Sequence, residues 1–132
     1  MFFGSIGFVG LGRMGFRMAA RLTSSYSVFG TDKIESLEQS VEDHGIRWVD
    51  SPRALAKACK YVFIVAGTEN DVTEIIFGRN GLLLGIETDV MIVVCATVRP
   101  SYIKALAKRL SKNSFIRLLD CPVARGEEAA ET

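Results

Sequence analysis

The feature that most limits the folds open to this chain is an apolar run that ends in a glycine turn and passes at once into an amphipathic stretch. Ser5–Val9 reads SIGFV, and Gly10-Leu11-Gly12-Arg13-Met14-Gly15 follows directly. From about Met14 to Thr23, Phe16, Met18, Ala19, Ala20 and Leu22 recur at helical spacing. A strand apolar on both sides is buried on both faces, as in a parallel sheet. A strand that turns directly into an amphipathic helix starts a βαβ unit.

The rest of the chain keeps this rhythm of short apolar runs and longer amphipathic ones. Strands are expected at Val28–Thr31, Ile46–Val49, Val62–Val65, Val90–Cys95 and Phe115–Leu119. Of these, Val62–Val65 has the strongest pattern of a fully buried strand, followed by Val90–Cys95. Helices are expected at Ile34–His44, closed by Gly45, and at Ala54–Lys60, Asp71–Phe77 and Ser101–Leu110. Ser51-Pro52 supplies a hydroxyl cap and a proline for the first helical position of one of them. The expected fold is α/β, a Rossmann-type parallel sheet with helices on both faces. At 132 residues, with no repeat or linker, one domain with one core is expected. The chain stops soon after the last expected strand, so this domain, 1–132, is expected to be incomplete at its C-terminal end.

Composition narrows the partners. Lys plus Arg (16) nearly balances Asp plus Glu (15), which argues against nucleic acid or an anionic membrane as partner. The apolar run from Phe2 to Val9 is too short for a signal core or a membrane span. The cytoplasm is the expected compartment, with a mature mitochondrial protein as the alternative. Cys59, Cys95 and Cys121 are odd in number and lack paired spacing, which argues against a disulfide framework or a metal site. His44, the only histidine, falls at the end of an expected helix, where a C-terminal cap is the simpler role.

The glycine turn carries the chemistry. In a G-x-G-x-x-G turn between strand and helix, Gly10 permits the tight turn and Gly12 lets the backbone approach a pyrophosphate. Gly15 lets the helix pack against the strand. The helix amides and dipole then stabilise phosphate charge. Asp32 stands about 20 residues on, at the end of the second expected strand, where a carboxylate accepts from adenosine ribose hydroxyls and repels a 2′-phosphate. That favours NAD over NADP, whereas Lys33 beside it would tolerate the phosphate. Asp32 also has a second reading, as a cap before Ile34. Arg13, Arg17 and Arg21 share one helix face. Arg13 is a candidate phosphate contact, and Arg17 and Arg21 are expected to be solvated.

These residues also carry a family likeness. Gly7-Phe8-Val9-Gly10-Leu11-Gly12-Arg13-Met14-Gly15, followed by Met18-Ala19, resembles the opening of the β-hydroxyacid dehydrogenase family, which includes 3-hydroxyisobutyrate dehydrogenase. Val62-Phe63-Ile64-Val65-Ala66-Gly67, followed by Val72, lies where the family has a strand and a loop beside the adenosine. Gly78 and Gly81-Leu82 match its next helix end. Ala96-Thr97-Val98-Arg99-Pro100 is similar to the Ser-Thr-x-x-Pro segment beside the nicotinamide ribose. Asp120-Cys121-Pro122-Val123-Ala124-Arg125-Gly126 resembles the Asp-Ala-Pro-Val-Ser-Gly-Gly segment that receives the substrate carboxylate.

The resemblance implies an oxidoreductase acting on a small 3-hydroxy acid or its semialdehyde. The cofactor residues it implies are Gly10, Leu11, Gly12, Arg13, Met14, Gly15, Asp32, Lys33, Ala66, Gly67, Val72 and Thr97. Ala124, Arg125 and Gly126 would meet the substrate. Ala124-Arg125 replaces the usual Ser-Gly, exchanging a hydroxyl donor and an open approach for a guanidinium that can hold a carboxylate bidentately. The family's catalytic lysine and its helical substrate domain lie beyond Thr132. This chain alone therefore carries no catalytic residue and is not expected to catalyse hydride transfer. A non-catalytic nucleotide-binding module and an imine reductase relative are the alternative readings. Missing outer strands would leave exposed apolar surface, so a homo-oligomer is expected.

Overall fold

Each strand–helix alternation in the sequence adds one strand to a single parallel sheet. The computed structural model describes residues 4–122. The strands are β1 (Ser5–Val9), β2 (Ser27–Thr31), β3 (Arg47–Trp48), β4 (Tyr61–Ile64), β5 (Val90–Val94) and β6 (Ile116–Asp120). Between them lie α1 (Arg13–Leu22), α2 (Glu38–Asp43), α3 (Pro52–Ala58), α4 (Glu69–Phe77) and α5 (Pro100–Leu110). Short 3₁₀ turns occupy Glu35–Leu37 and Leu82–Gly85, the second of which the sequence pattern did not suggest.

The sheet has the order β3-β2-β1-β4-β5-β6, and all five pairings are parallel. The chain winds outward from β1 to β3, then returns through α3 to start β4 on the other side of β1. Strand order therefore reverses between β1 and β4. In open α/β sheets the crevice at the carboxyl ends of such a pair is where ligands bind.

The two sheet faces are covered unequally. On one, Leu55, Val72, Ile76, Leu106 and Leu110 of α3, α4 and α5 pack with Val9, Val62, Ile64, Ile92 and Val94. On the other, Ala19 of α1 and Val41 of α2 pack with Ile6, Phe8 and Val28. These two helices lie chiefly over β1, β2 and β3. Among the described residues the same face is more open at β4 and β6, while Val93 between them on β5 is 4% exposed; this corrects the expectation of a fully buried β4. Val62 and Ile64 are completely buried, but Tyr61 is 39% exposed and Phe63, stacked on Phe8 at 5.0 Å, is only half-buried. Leu119 on β6 is 48% exposed.

Local chemistry explains where element ends shifted. The expected helix from Ile34 begins as a 3₁₀ turn and becomes α2 only at Glu38, because Asp32 takes the Ile34 amide and holds that residue extended. Helix α4 starts earlier than expected, since the Thr68 hydroxyl caps it by accepting from the Asp71 amide at 3.1 Å. Ser51 caps α3 as expected, accepting from the Ala54 amide at 3.1 Å. The predicted third strand shrinks to Arg47–Trp48, next to the Ser51-Pro52 helix start.

Candidate functional site

At the end of β1 the chain makes its turn against the neighbouring strand. Gly10 adopts φ +100°, and a Cβ there would collide with the Val65 carbonyl oxygen. A Cβ on Gly15 would likewise collide with the Gly10 carbonyl oxygen. Both glycines are therefore required by packing alone. Gly12 is different. Its φ of −70° suits any residue, and a Cβ would meet nothing within 4 Å among the described residues. Packing among the described residues gives no reason for a glycine at this position.

Gly12 is also the N-cap of α1, and no side chain caps that end of the helix. The first turn of α1 contains no acidic residue. The positive end of the α1 dipole thus lies at the end of β1 with no acidic residue in its first turn, an arrangement that favours a bound anion. Arg13 is exposed and Met14 half-buried beside it, while Leu11 is buried against Gly30.

Asp32 closes the neighbouring side. Its Oδ2 accepts from the Leu11 amide at 2.7 Å and its Oδ1 from the Ile34 amide at 2.9 Å. The local capping bond anticipated for it is present, together with a bond to the glycine turn that no local pattern suggested. Each carboxylate oxygen retains accepting capacity for a further donor. Lys33 is highly exposed and leans across the crevice, its Nζ 3.9 Å from Asp71 Oδ1 near the start of α4.

On the far side of the switch, Ala66 is half-buried and Gly67 exposed in the loop after β4. Val72 offers no surface beside them: it is completely buried on the core side of α4. Thr97 is exposed in the loop after β5, just past the buried Ala96. The structure therefore gathers Gly10 to Gly15, Asp32, Lys33, Ala66, Gly67 and Thr97 along the carboxyl edge of the sheet. Ala124, Arg125 and Gly126 lie outside the described residues.

One contact at this edge escaped sequence reasoning. Glu69, the first residue of α4, receives the Arg99 guanidinium through Nη2 at 2.8 Å and Nε at 3.1 Å. The Arg99 backbone amide also donates to Glu69 Oε2 at 2.8 Å. These bonds hold the Glu69 carboxyl below its ordinary range, and they tie the loop after β4 to the loop after β5. Thirty residues separate the partners, so no local pattern announces them.

One sequence reading of α1 changes, and that of the α2 end stands. Arg21 is exposed as expected, but Arg17 is half-buried on the wall of a cavity of about 810 Å³ between α1 and the segment 34–41. Gly12 and Arg13 reach one end of this cavity. His44 acts as the expected cap, with Nδ1 2.8 Å from the Ser40 carbonyl oxygen and its ring edge-on to Phe16. Among the described residues no cluster of His, Cys, Asp or Glu could hold a metal ion. No helix among them is long and apolar enough to cross a membrane.

Residues 5–132 match the protein family described as the NAD binding domain of 6-phosphogluconate dehydrogenase. The chain is 30% identical over 127 residues to L-threonate dehydrogenase of Cupriavidus necator, covering 96% of this chain and 42% of that protein. It is 29% identical over 128 residues to human mitochondrial 3-hydroxyisobutyrate dehydrogenase, covering 96% and 38%. Among solved structures, Psf3 in complex with NADP+ and 2-OPP superposes with a TM-score of 0.87 at 26% identity, covering 96% of this chain and 45% of that one. The chain thus spans less than half the length of the relatives it matches.

Proposed function

We propose that this chain, which belongs to the family of the NAD binding domain of 6-phosphogluconate dehydrogenase, is the NAD(P)-binding domain of an oxidoreductase that acts on a small 3-hydroxy acid or its semialdehyde. The observation that carries the reading is Gly12. Gly10 and Gly15 are explained by packing, whereas Gly12 borders open space at an uncapped helix start. No described residue approaches that backbone, so a position without a side chain there suits a ligand, and the helix start beside it suits a pyrophosphate. The dehydrogenases of hydroxy acids among its relatives support the substrate class.

When bound, the nicotinamide supplies hydride chemistry. The residues of this chain bind and orient. Gly12, Arg13 and Met14 offer backbone donors, and Asp32 accepts from ribose hydroxyls with the capacity its two backbone bonds leave. Ala66, Gly67 and Thr97 line the opposite bank, and Ala124, Arg125 and Gly126 are the segment assigned to a substrate carboxylate. In the family, proton handling at the substrate hydroxyl falls to a lysine outside the segment that this chain matches. Asp32 favours NAD, because its carboxylate would repel a 2′-phosphate. The charge of Lys33, the residue that would tolerate a 2′-phosphate, is partly answered by Asp71.

The face left more open at β4 and β6 supports self-association into a homo-oligomer. Nucleic acid is not a partner in this reading, on the balanced charge. A reducing compartment suits the unpaired thiols, the cytoplasm first and the mitochondrial matrix second. Calorimetric titration of the chain with NADH and with NADPH tests the reading. Saturable binding with NADH the tighter is expected, and absence of binding by either cofactor would overturn it.

A further inference from the structure

Strands β5 and β6 leave the sheet side by side. Val94 is in register with Asp120, and the Cys121 amide donates to the Val94 carbonyl at 2.9 Å, so the next pair along is Cys95 and Cys121. Neighbouring strands lie about 4.8 Å apart, inside the roughly 4.4–6.8 Å separation of Cα atoms that a disulfide spans. Alternation along the strands puts Cys95 with Val93 and Cys121 with Leu119, a register pair on the same sheet face, the one that carries α1 and α2. Cys95 is 6% exposed and Cys121 is exposed. The Cys95 thiol is pushed up to about 11 by burial and by Cys121 beside it, so it stays protonated near neutral pH. Cys59 belongs to the opposite face, against Leu55 and under Gly7, where burial pushes its thiol up to about 12.

We infer that Cys95 and Cys121 are a peroxide-oxidised thiol pair that closes into an intrachain disulfide across the ends of β5 and β6. The exposed Cys121, as thiolate, attacks one peroxide oxygen. The O–O bond breaks, the other oxygen leaves as water after protonation, and Cys121 becomes a sulfenic acid. Cys95 sulfur then bonds to Cys121 sulfur, the S–O bond breaks, and the departing hydroxide takes the Cys95 proton as water. Two thiols lose two electrons in total, and one hydrogen peroxide becomes two waters. In a reducing compartment the bond is transient, returned to thiols by exchange with small thiols. This inference rests on strand register and on the exposure of the two thiols, and it does not depend on cofactor binding.

The test is stoichiometric hydrogen peroxide on the full chain, followed by thiol counting and peptide mapping without reductant. Free thiols should fall from three to one, with Cys95 and Cys121 in one linked peptide and Cys59 free. Cys59→Ser should still lose two thiols, and the exposed-site variant Cys121→Ser should keep both of its remaining thiols. Cys95→Ser places a hydroxyl in a buried position, so the Cys121 variant carries the test if that protein fails to fold. Oxidation that stops at a sulfinic acid on Cys121, or that links Cys121 to a second chain, would overturn the inference. So would loss of Cys59 thiol at the same rate as the other two.

Discussion

The Leu11 amide donates to Asp32 Oδ2 at 2.7 Å, immediately after the Gly10 amide has bonded to the Thr31 carbonyl at 3.0 Å. The turn that ends β1 is thereby fastened to the end of β2 by one neutral and one charge-assisted bond. Asp32 is thus a structural support of the glycine turn as well as the acceptor proposed for ribose hydroxyls. Losses on mutating it must be divided between these two roles.

Asp32→Ala removes both backbone bonds and should destabilise the chain by about 1.5–3 kcal/mol in urea unfolding, the usual worth of a bond to a charged group. Asp32→Asn keeps an acceptor and removes the charge. It should cost less stability and still narrow the preference for NADH over NADPH. Equal affinity of the unmutated chain for both cofactors would contradict the electrostatic part of this assignment.

Gly10→Ala forces a side chain into the left-handed region and against the Val65 carbonyl, and Gly15→Ala drives one into the Gly10 carbonyl. Each should lower stability by roughly 2–4 kcal/mol. Thermal melts near that of the unmutated chain would show that the turn is looser than described.

The Glu69–Arg99 tie gives a pH signature. Its contribution to stability is fully present above the ordinary carboxyl value of 4.5 and is lost as the pH falls through the lowered folded-state value. Both side chains are partly solvated, so the effect is small. Thermal midpoints of the unmutated chain and Glu69→Gln should differ near pH 7 and converge only once the pH has fallen below the lowered Glu69 carboxyl value. A difference that stays constant with pH would show that the ion pair contributes nothing.

The face left more open at β4 and β6 predicts concentration-dependent self-association in sedimentation. Leu119→Lys, at a position 48% exposed, should shift the distribution toward monomer without lowering the melting temperature. A monomer at all concentrations in the unmutated chain would contradict the proposed homo-oligomer.

Much of the fold was legible because its signals are local. Each of the six strands was foreseen within about two residues at either end, since apolar runs and glycine or proline punctuation report on adjacent residues. Ser51-Pro52 marked its helix start for the same reason. What escaped depends on residues distant in sequence. Asp32 shortens the following helix by holding Ile34 and also reaches 21 positions back to Leu11. The exposure of Tyr61 follows from where α1 and α2 lie, which strand 4 itself does not encode. At the site, the glycine spacing and Asp32 carry local signals, whereas Val72 was placed by motif position alone and is packed in the core. Glu69 and Arg99 carry no pattern that would have paired them.

The most direct test of the central claim is Gly12→Ala, with stability and cofactor affinity measured on the same sample. A Cβ at Gly12 meets nothing within 4 Å among the described residues, so stability should change by no more than about 1 kcal/mol. Affinity for NADH should fall at least about tenfold, or about 1.4 kcal/mol, because the backbone no longer admits a pyrophosphate. Unchanged NADH affinity in a variant that remains folded would contradict the claim that Gly12 is kept open for the cofactor.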